Sequence, residues 1–368
     1  MEVFFVRILV ITKRQYMNKD LIDDRFGRFR EIPLVLARSG HKVTGLCLSY
    51  KHKNEEWLED ETVQWKSINT GSFKIFGLIR FIANAGSHAK KADIIWACSD
   101  SFYGIIGYLL SIRYGVPMVF DLYDNFEFFL AAKLPILKQL YRWSVRKCAA
   151  VTCVSRPLAG LVGSYGRKNR IFVLENAVRK ELFMPMPKSH CRAALGLPKN
   201  CKLVGTAGAL EKSRGIQNLF EAFDRLKTSR PDLHLVLAGA RKINLPQHDR
   251  IHDLGVLPLE KVPLLLNALD VAVICNRDNK FGRYCFPQKA AEIMACDVLL
   301  IAAHIGSMAG QFKDHPEWLF TPNSSMDLAN VIEHRLQHQN TDYTHILSWE
   351  DLAKRVEKIM LNLKEEQF

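Results

Sequence analysis

The feature that most constrains this chain is a regular alternation of short apolar runs and longer amphipathic stretches. The runs have the length and the β-branched content of buried strands, and the stretches between them have the length and period of helices. Because such alternation is typical of parallel sheets with crossover helices, the sequence predicts an α/β protein. A polar link around Pro185, Pro187 and Lys188 divides the pattern into two series.

Each series predicts one sheet. The strands of the first series are predicted at residues 6–12, 42–48, 93–99, 117–123, 150–155 and 171–176, and those of the second at residues 202–208, 233–239, 251–256, 271–275 and 298–303. A chain of 368 residues is long enough for two domains of ordinary size. We therefore predict two facing Rossmann-like domains, residues 1–182 and residues 183–348.

Composition limits the classes of function. Lys and Arg total 51 against 38 for Asp and Glu, so the net charge of +13 favours an anionic partner: nucleic acid, a membrane surface or a phosphorylated substrate. Nucleic acid is the least favoured, because no nucleic-acid-binding motif is present. The nine cysteines are scattered without a CxxC pair, and the histidines lack metal-binding spacing, so we predict a reducing, cytoplasmic setting and no metal.

Four stretches of the second series follow one another along the chain: GTAGALEKSRGIQNLFEAF, HLVLAGA, IHDLGVLPLEKVPLLLNALDVAVI and FPQKAAEIMACDVLLIAA. In this order they resemble the donor-binding domain of GT-B glycosyltransferases, above all the retaining family-four enzymes (glycosyl transferases group 1). The first half is similar through FREIPLVLARSGHKVT and ENAVRKELF. The resemblance implies that the first domain binds the acceptor, that the second binds the nucleotide-sugar donor, and that a helix at residues 349–368 crosses back to the first.

The resemblance also implies donor-binding residues. Gly208 lies in the turn after a strand, where glycine lets the backbone approach a ligand. Arg214 would pair with the donor pyrophosphate, and Lys212 could assist, because the turn position where the family carries Arg is Ala209 here. The alternative for Arg214 is a solvated cation at the start of a helix.

A second donor-binding group resembles the family's E-x7-E motif. Glu292 matches its second Glu, which accepts the ribose hydroxyls, whereas Tyr284 stands where the first Glu would be. Phe286 and Pro287 precede the helix, and Lys289 shares a helical face with Glu292. The alternative is an ordinary surface ion pair between these two side chains.

The acceptor side is expected in the first domain. Tyr123 and Asp124 follow a buried strand, where open α/β sheets bind ligands, and replace the family's His-Asp or His-Glu pair. The alternative is that the carboxylates of this run cap the next helix. After the first strand, Arg25, Gly27 and Arg28 replace a glycine-rich loop, and the two arginines could meet phosphates of donor or acceptor.

The resemblance implies a retaining hexosyl- or related transferase of bacterial polysaccharide or glycolipid synthesis. Such an enzyme moves a sugar from a nucleotide diphosphate sugar, its co-substrate, to a hydroxyl of a glycan or lipid-linked acceptor, and we expect it to need neither a metal nor a cofactor. A 2-epimerase of the same fold and a non-catalytic nucleotide-sugar-binding subunit remain alternatives. The basic, apolar-rich stretches at residues 73–83 and 134–147 could bind an anionic membrane surface, with Leu137, Leu140, Tyr141 and Ser144 as one face of the second. Alternatively, both stretches pack on the sheet.

Overall fold

The computed structural model describes residues 5–16, 19–25, 27–51, 55–71, 74–128, 134–343 and 346–366, without the side chains of Lys74 and Phe128. Phe73, at the start of one predicted basic stretch, lies outside the described residues. The chain divides into two units, one made of Met1–Glu175 and Trp349–Phe368 and the other of Asn176–Ser348.

The boundary between the units follows Glu175, whereas the sequence predicts it after residue 182. Two contacts explain the difference. The Asn176 side-chain amide donates a hydrogen bond to the carbonyl of Phe286 at 3.0 Å, and Val178 pairs with Ser348 in an isolated bridge. Both partners belong to the second unit, so the segment after Glu175 is part of that unit.

The first unit is built on long apolar strands. They are β1 (Arg7–Lys13), β2 (Gln15–Tyr16), β3 (Lys19–Asp20), β4 (Lys42–Ser49), β5 (Glu56–Asp60), β6 (Val63–Asn69), β7 (Ile94–Ala97), β8 (Met118–Leu122), β9 (Ala150–Cys153) and β10 (Ile171–Val173). Within the described ranges, eight of them form one sheet in the order β10-β9-β8-β7-β1-β4-β6-β5. Only β5 pairs antiparallel with its neighbour in this sheet, as far as it is described. The central strands are buried along their length because helices cover both faces of a parallel sheet.

The helices of the first unit connect its parallel strands. They are α1 (Arg28–Arg38), α2 (Lys74–Ala89), α3 (Ser101–Tyr114), α4 (Pro135–Lys147) and α5 (Arg156–Ser164). Local signals set their ends. The Asp100 carboxylate accepts a hydrogen bond from the N–H of Phe102 at the start of α3, and Gly115, with φ of 69°, ends that helix.

The second unit repeats this plan. Its strands are β11 (Lys202–Ala207), β12 (Leu233–Ala238), β13 (Ile251–Asp253), β14 (Val271–Ile274), β15 (Leu299–Ala303) and β16 (Leu319–Phe320). Its helices are α6 (Lys188–Ala194), α7 (Gln217–Leu226), α8 (Val262–Ala268), α9 (Gln288–Ala295), α10 (Gly306–Gln311) and α11 (Ser325–Gln337). Its strands, as far as they are described, form one parallel sheet in the order β13-β12-β11-β14-β15-β16. Both units are therefore Rossmann-like, as the sequence predicts.

One ion-pair cluster joins three elements of the second unit. Asp270, just before β14, lies 2.7 Å from Lys188 and 2.6 Å from Arg192, both on α6, and it accepts a hydrogen bond from the N–H of Leu203 in β11. Burial alone would raise the pKa of Asp270, but these hydrogen bonds and positive charges lower it overall. The carboxylate is therefore held in its charged form by the folded structure.

The C-terminal helix, α12 (Trp349–Glu365), packs on α1 in the first unit. Its apolar stripe is the buried face, and Leu352, Val356 and Met360 are almost fully shielded from solvent. His41 Nε2 lies 2.7 Å from Glu357 Oε1. The helix thus returns to the first unit, as the GT-B resemblance implies.

All eleven strands predicted from the sequence are present, with ends that differ by a few residues. The prediction missed β5, β6, β16 and the β2–β3 hairpin. In β6, buried Val63, Trp65 and Ser67 alternate with more exposed residues, so this strand lacks the continuous apolar run of its neighbours. β5 is an antiparallel strand at the sheet edge with mostly exposed side chains.

Three features of the described residues bear on function. None of the helices seen there combines the length and apolar character needed to cross a membrane. In the same ranges, His, Cys, Asp and Glu side chains form no group of three or more that could hold a metal ion. All nine cysteines are free thiols, and only Cys201 is more than slightly exposed.

Candidate functional site

The second sheet reverses its winding between β11 and β14. β12 and β13 extend it on one side of β11, whereas β14, β15 and β16 extend it on the other. In open α/β sheets, ligands bind at the carboxyl ends of the strands where such a reversal occurs. The loops at this edge are residues 208–216, after β11, and residues 275–287, between β14 and α9.

Glycine backbones hold these loops against each other. Gly215 has a φ of 74°, and a Cβ at this position would lie 2.1 Å from the carbonyl oxygen of Cys275. Gly239, after β12, has a φ of 140°, and its Cβ would lie 1.6 Å from the carbonyl oxygen of Gly208. Only glycine permits both the conformation and the approach. Gly208 thus lies in a close backbone contact at this edge, with a φ of 137°.

Arg214 is held between the two loops. Its guanidinium lies 4.2 Å from the centre of the Phe281 ring, and its Nε lies 3.6 Å from Glu211 Oε1. The side chain is one-third exposed, so its N–H groups can reach a ligand. Lys212, two residues earlier, is exposed. The Arg214 side chain is therefore ordered by a cation–π contact rather than extended freely into solvent.

Lys289 and Glu292 lie on one face of α9, as their spacing predicts. Lys289 Nζ is 2.6 Å from Glu292 Oε2. The Glu292 side chain is only 8% exposed, whereas that of Lys289 is 30% exposed. The pair is therefore too buried to be an ordinary surface ion pair.

Phe286, Pro287 and Tyr284 shape the start of α9. Phe286 is buried, and its carbonyl accepts the hydrogen bond from Asn176. Pro287 is the N-cap residue of α9, and no side chain caps the first turn in the described structure. Tyr284, in place of the first motif Glu, is half-buried in the preceding loop. The position of the missing carboxylate is thus occupied by a bulkier, uncharged side chain.

Sequence reasoning missed two cations near this edge. Lys242 Nζ lies 2.7 Å from Glu211 Oε2, and this hydrogen bond lowers the pKa of Glu211. Arg241 is paired with Asp253. Both cations border an open depression of about 640 Å³ formed mainly by residues 241–248. The available signal was their place directly after β12, a neighbour of β11 in the sheet.

In the first unit, Tyr123 and Asp124 directly follow β8. The Tyr123 ring packs edge-on against Phe29, with 4.9 Å between ring centres, and burial raises its pKa. Asp124 is buried, and its Oδ1 accepts a hydrogen bond from the N–H of Asn125 at 2.7 Å. This bond joins adjacent residues and does not cap a helix. The cap-like bond of this run is made by Asn125, whose Oδ1 accepts a hydrogen bond from the N–H of Glu127 at 3.2 Å, and the Asp124 carboxylate lies at the ligand-binding edge of the sheet.

A half-buried lysine lies near this pair and was missed from the sequence. Lys13 Nζ is 3.8 Å from Asp100 Oδ2 and 6.0 Å from the centre of the Tyr123 ring. Burial lowers the pKa of Lys13, and Asp100 and Asp124 oppose this shift. Burial likewise raises the pKa of Asp100. Lys13 ends β1 and Asp100 follows the adjacent strand β7, where the first sheet reverses, but sequence alone does not reveal that these strands are neighbours.

The segment that leads into α1 differs from expectation at Arg28, the first residue of that helix. Its guanidinium donates to Asp121 Oδ1 at 2.8 Å and to the carbonyl of Leu174, and both side chains of the ion pair are buried. Arg28 therefore ties α1 to β8 instead of reaching out to a phosphate. Arg25 is exposed. Gly27 is the N-cap of α1, and its Cβ would overlap the Tyr16 hydroxyl at 1.3 Å.

The second-unit edge can bind two chemical groups. The guanidinium of Arg214 and the ammonium of Lys289 can neutralise phosphate oxygens. The Glu292 carboxylate can accept hydrogen bonds from two adjacent hydroxyls, one on each oxygen. The arrangement is suited to a phosphorylated polyol, such as a nucleotide.

Two family models match separate parts of the chain. The model described as Glycosyl transferases group 1 matches residues 188–347, inside the second unit. The model described as Glycosyltransferase Family 4 matches residues 31–182, which covers most of the first unit. The two matches follow one another along the chain and leave only its ends and a short link unmatched.

Individual proteins agree with these matches. The putative teichuronic acid biosynthesis glycosyltransferase TuaC of Bacillus subtilis (strain 168) is 30% identical over 152 residues, which is 41% of this chain and 37% of that protein. The matched regions span about half or less of the curated relatives' own lengths.

Solved structures share the fold over nearly the whole chain. Anabaena Alr3699/HepE in complex with UDP has a TM-score of 0.69 at 17% identity, with 98% of each chain covered. Sucrose-phosphate synthase from Thermosynechococcus elongatus has a TM-score of 0.71 at 17% identity, with 98% of this chain and 97% of that chain covered. Together with the family models that match both halves, these findings show that the chain belongs to the GT-B glycosyltransferases of the group 1 and family 4 type.

Proposed function

We propose that this protein is a retaining glycosyltransferase that moves a sugar, a hexose or a related sugar, from a nucleotide diphosphate sugar to a hydroxyl of a glycan or lipid-linked acceptor. The observation that carries this proposal is the pairing of Lys289 with a nearly buried Glu292 at the carboxyl edge of the second sheet. The UDP complex of Alr3699/HepE, which has the same fold, is further support for a nucleotide ligand.

In this proposal the second unit holds the donor. Glu292 accepts the two ribose hydroxyls, and Arg214 and Lys289 neutralise the diphosphate. The bond between the anomeric carbon and the diphosphate oxygen breaks, and its electron pair stays with the diphosphate. The acceptor oxygen bonds to the same face of the sugar and gives its proton to the departing phosphate oxygen. The cations lower the barrier because negative charge grows on the diphosphate in the transition state.

The acceptor side of the proposal rests on the first unit. Asp124, with Lys13 and Asp100 near it, is the group that would orient the acceptor hydroxyl. The Tyr123 ring would pack against the acceptor. Carboxylates accept hydrogen bonds from sugar hydroxyls, so the cluster suits an uncharged, hydroxyl-rich acceptor. The reaction needs no metal, because the cations of the second unit serve the diphosphate.

A second candidate is a nucleotide-sugar-binding subunit without activity. It is favoured by Ala209 and Tyr284, which stand where the family resemblance places an Arg and a Glu. Such a protein would bind the nucleotide through Glu292 but would leave the donor intact. Binding and turnover therefore have to be measured separately.

The test begins with thermal shift against UDP, GDP, ADP and dTDP, because a ligand that binds only the native state raises the melting temperature. We expect one nucleotide to give the largest shift. Release of that nucleotide from its sugar, only when acceptor is added and unchanged by EDTA, would support the transferase.

Each other outcome has its own meaning. Conversion of the nucleotide sugar to its C2 epimer without any acceptor would favour the epimerase. Binding without release across an acceptor panel would favour the subunit. No shift with any nucleotide would overturn the proposal.

A further inference from the structure

Neighbouring helices of the first unit expose large apolar side chains to solvent. Ile75, Phe76 and Ile79 on α2 are each more than half exposed. So are Leu109 and Ile112 on α3. Large apolar side chains exposed in a group on a folded protein indicate an interaction site.

The apolar row on α2 is not needed for the core. The opposite face of α2 already packs inward through Phe81, Ala85 and Ala89, which are fully buried. Ile75, Ile79 and a further exposed residue, Ile82, follow one another at helical spacing on the outer face. The helix is therefore apolar on two sides, and only one of them is used by the fold.

The exposed residues belong to one layer, because α3 lies between α2 and α4. The rings of Phe81 on α2 and Tyr103 on α3 have centres 5.6 Å apart. The rings of Tyr108 on α3 and Trp143 on α4 have centres 4.6 Å apart. α4 adds exposed Ile136 in its first turn. We call the outer faces of α2, α3 and α4 the α2–α4 surface.

The three helices of this surface carry side-chain charges of one sign. None of the 16, 14 and 13 residues of α2, α3 and α4 is Asp or Glu. The same helices carry seven basic residues: Lys74, Arg80, Arg113, Lys138, Arg142, Arg146 and Lys147. Acidic residues from outside these helices pair with some of them, such as Glu55 with Arg80 and Glu127 with Arg142. These partners reduce the positive charge but do not cancel it.

We propose that the α2–α4 surface docks on a lipid bilayer that contains anionic lipids. Exposed apolar tips can enter the boundary between headgroups and acyl chains, and the surrounding cations are attracted to anionic headgroups. A second copy of this chain is a poorer occupant, because pairing two such surfaces would set cations against cations. The proposal goes beyond the proposed transferase function and does not depend on the donor site.

The structure changes which part of α4 takes part. The sequence predicts a membrane-binding face made of Leu137, Leu140, Tyr141 and Ser144. Tyr141 and Ser144 are buried, and the two leucines are half-buried, so this face packs on the first unit. The apolar contribution of α4 to the α2–α4 surface is limited to its first turn, whereas its exposed cations Arg146 and Lys147 lie in its last turn.

The test is flotation of the full chain with phosphatidylcholine vesicles that contain increasing phosphatidylglycerol. We expect binding that rises with the anionic fraction and falls with added NaCl. Arg113→Gln with Lys147→Gln should weaken binding about 30-fold, at about fivefold per cation near an anionic surface. Ile75→Ser with Ile79→Ser should weaken it at least tenfold, because about 0.8 kcal/mol of partitioning is lost per buried methylene.

Matched controls lie in the second unit. Lys261→Gln with Lys313→Gln removes two exposed cations, and Val256→Ser with Met326→Ser removes two exposed apolar side chains. Both should bind vesicles like the wild type, and all variants should keep the wild-type melting temperature and nucleotide-induced shift. Wild type that does not float, or floats equally with neutral vesicles, overturns the proposal. If the wild type does not bind vesicles but forms concentration-dependent dimers, and if Ile75→Ser with Ile79→Ser or Arg113→Gln with Lys147→Gln abolishes these dimers, then the surface is an interface with a second copy instead.

Discussion

Replacing Glu292 by Gln separates a ligand-binding role from a structural one. The amide keeps the shape of the side chain but removes its charge, so the hydrogen bonds to two ribose hydroxyls become neutral ones. Losing a charge-assisted interaction of this kind costs about 1–3 kcal/mol, which is about 5- to 150-fold in Kd. The binding of the nucleotide should weaken by this factor.

The effect on folding should be much smaller. The Glu292→Gln change would leave Lys289 without its charged partner, but the Lys289 side chain is 30% exposed and can be solvated in place. The Gln amide oxygen can still accept a hydrogen bond from Lys289 Nζ, so the change should cost only about 1 kcal/mol of folding stability, and the melting temperature should fall by about 4 °C at most. A large loss of stability with normal binding would mean that Glu292 is structural.

The assay is isothermal titration with the nucleotide that gives the largest thermal shift. Asp224→Asn is the matched control, because it breaks another i,i+3 ion pair in the same unit. This pair joins Asp224 on α7 to Lys227, just after that helix, and it lies on an exposed surface. We expect its Kd to equal that of the wild type. Equal Kd values for wild type and Glu292→Gln would refute the reasoning and remove Glu292 from the site.

The remaining predictions concern the fold that holds the site. Gly215→Ala should lower the free energy of unfolding by about 2–4 kcal/mol in urea titrations, because the Cβ meets the Cys275 carbonyl at a positive φ. Asp270→Asn should lower it by about 3–5 kcal/mol, because Arg192 is left buried without its counter-charge. The folded structure lowers the pKa of Asp270, so the charged carboxylate stabilises the fold fully above about pH 4, and this stabilisation is lost as the pH falls through the lowered pKa. In the Asn variant, the free energy of unfolding should therefore depend less on pH below about pH 4. Leu352→Ala should cost about 2–5 kcal/mol by opening a cavity between α12 and α1.

Controls for these changes are available in the same elements or on comparable helices. Gly160→Ala, in α5, meets no atom within 4 Å and should be neutral or slightly stabilising. Lys354→Ala, on the outer face of α12, should leave the free energy of unfolding within about 0.5 kcal/mol of the wild type. If Leu352→Ala behaves like Lys354→Ala, α12 is not docked on the first unit.

The central strands could be predicted because their burial leaves a signal in the sequence itself. β1 and β11 are apolar runs that no helix period explains. The strands at the margins, β5 and β16, are short or exposed, and they owe their conformation to a neighbouring strand rather than to their own pattern. Their existence depends on tertiary contacts that a single sequence does not display.

The candidate site could be predicted only where its residues are close in sequence. Lys289 and Glu292 are three apart on one helix, so their contact follows from helical geometry. Lys13 and Asp100 meet because β1 and β7 are neighbours in the sheet, which depends on strand order. The burial of Arg28 was missed for the same reason: its partner, Asp121, lies in β8, and an arginine at the start of a helix gives no sign in the sequence that it will be buried.

The close glycine contacts at the carboxyl edge of the second sheet have a consequence for how this site can evolve. Gly215 and Gly239 fix the loops through main-chain atoms, so the loop shape does not depend on which side chains the loops display. Ala209 is exposed there, and Tyr284 is half-buried. Residues at these two positions can therefore be exchanged one at a time, and charge can be removed from the site or restored to it, while the backbone that receives the ligand keeps its form.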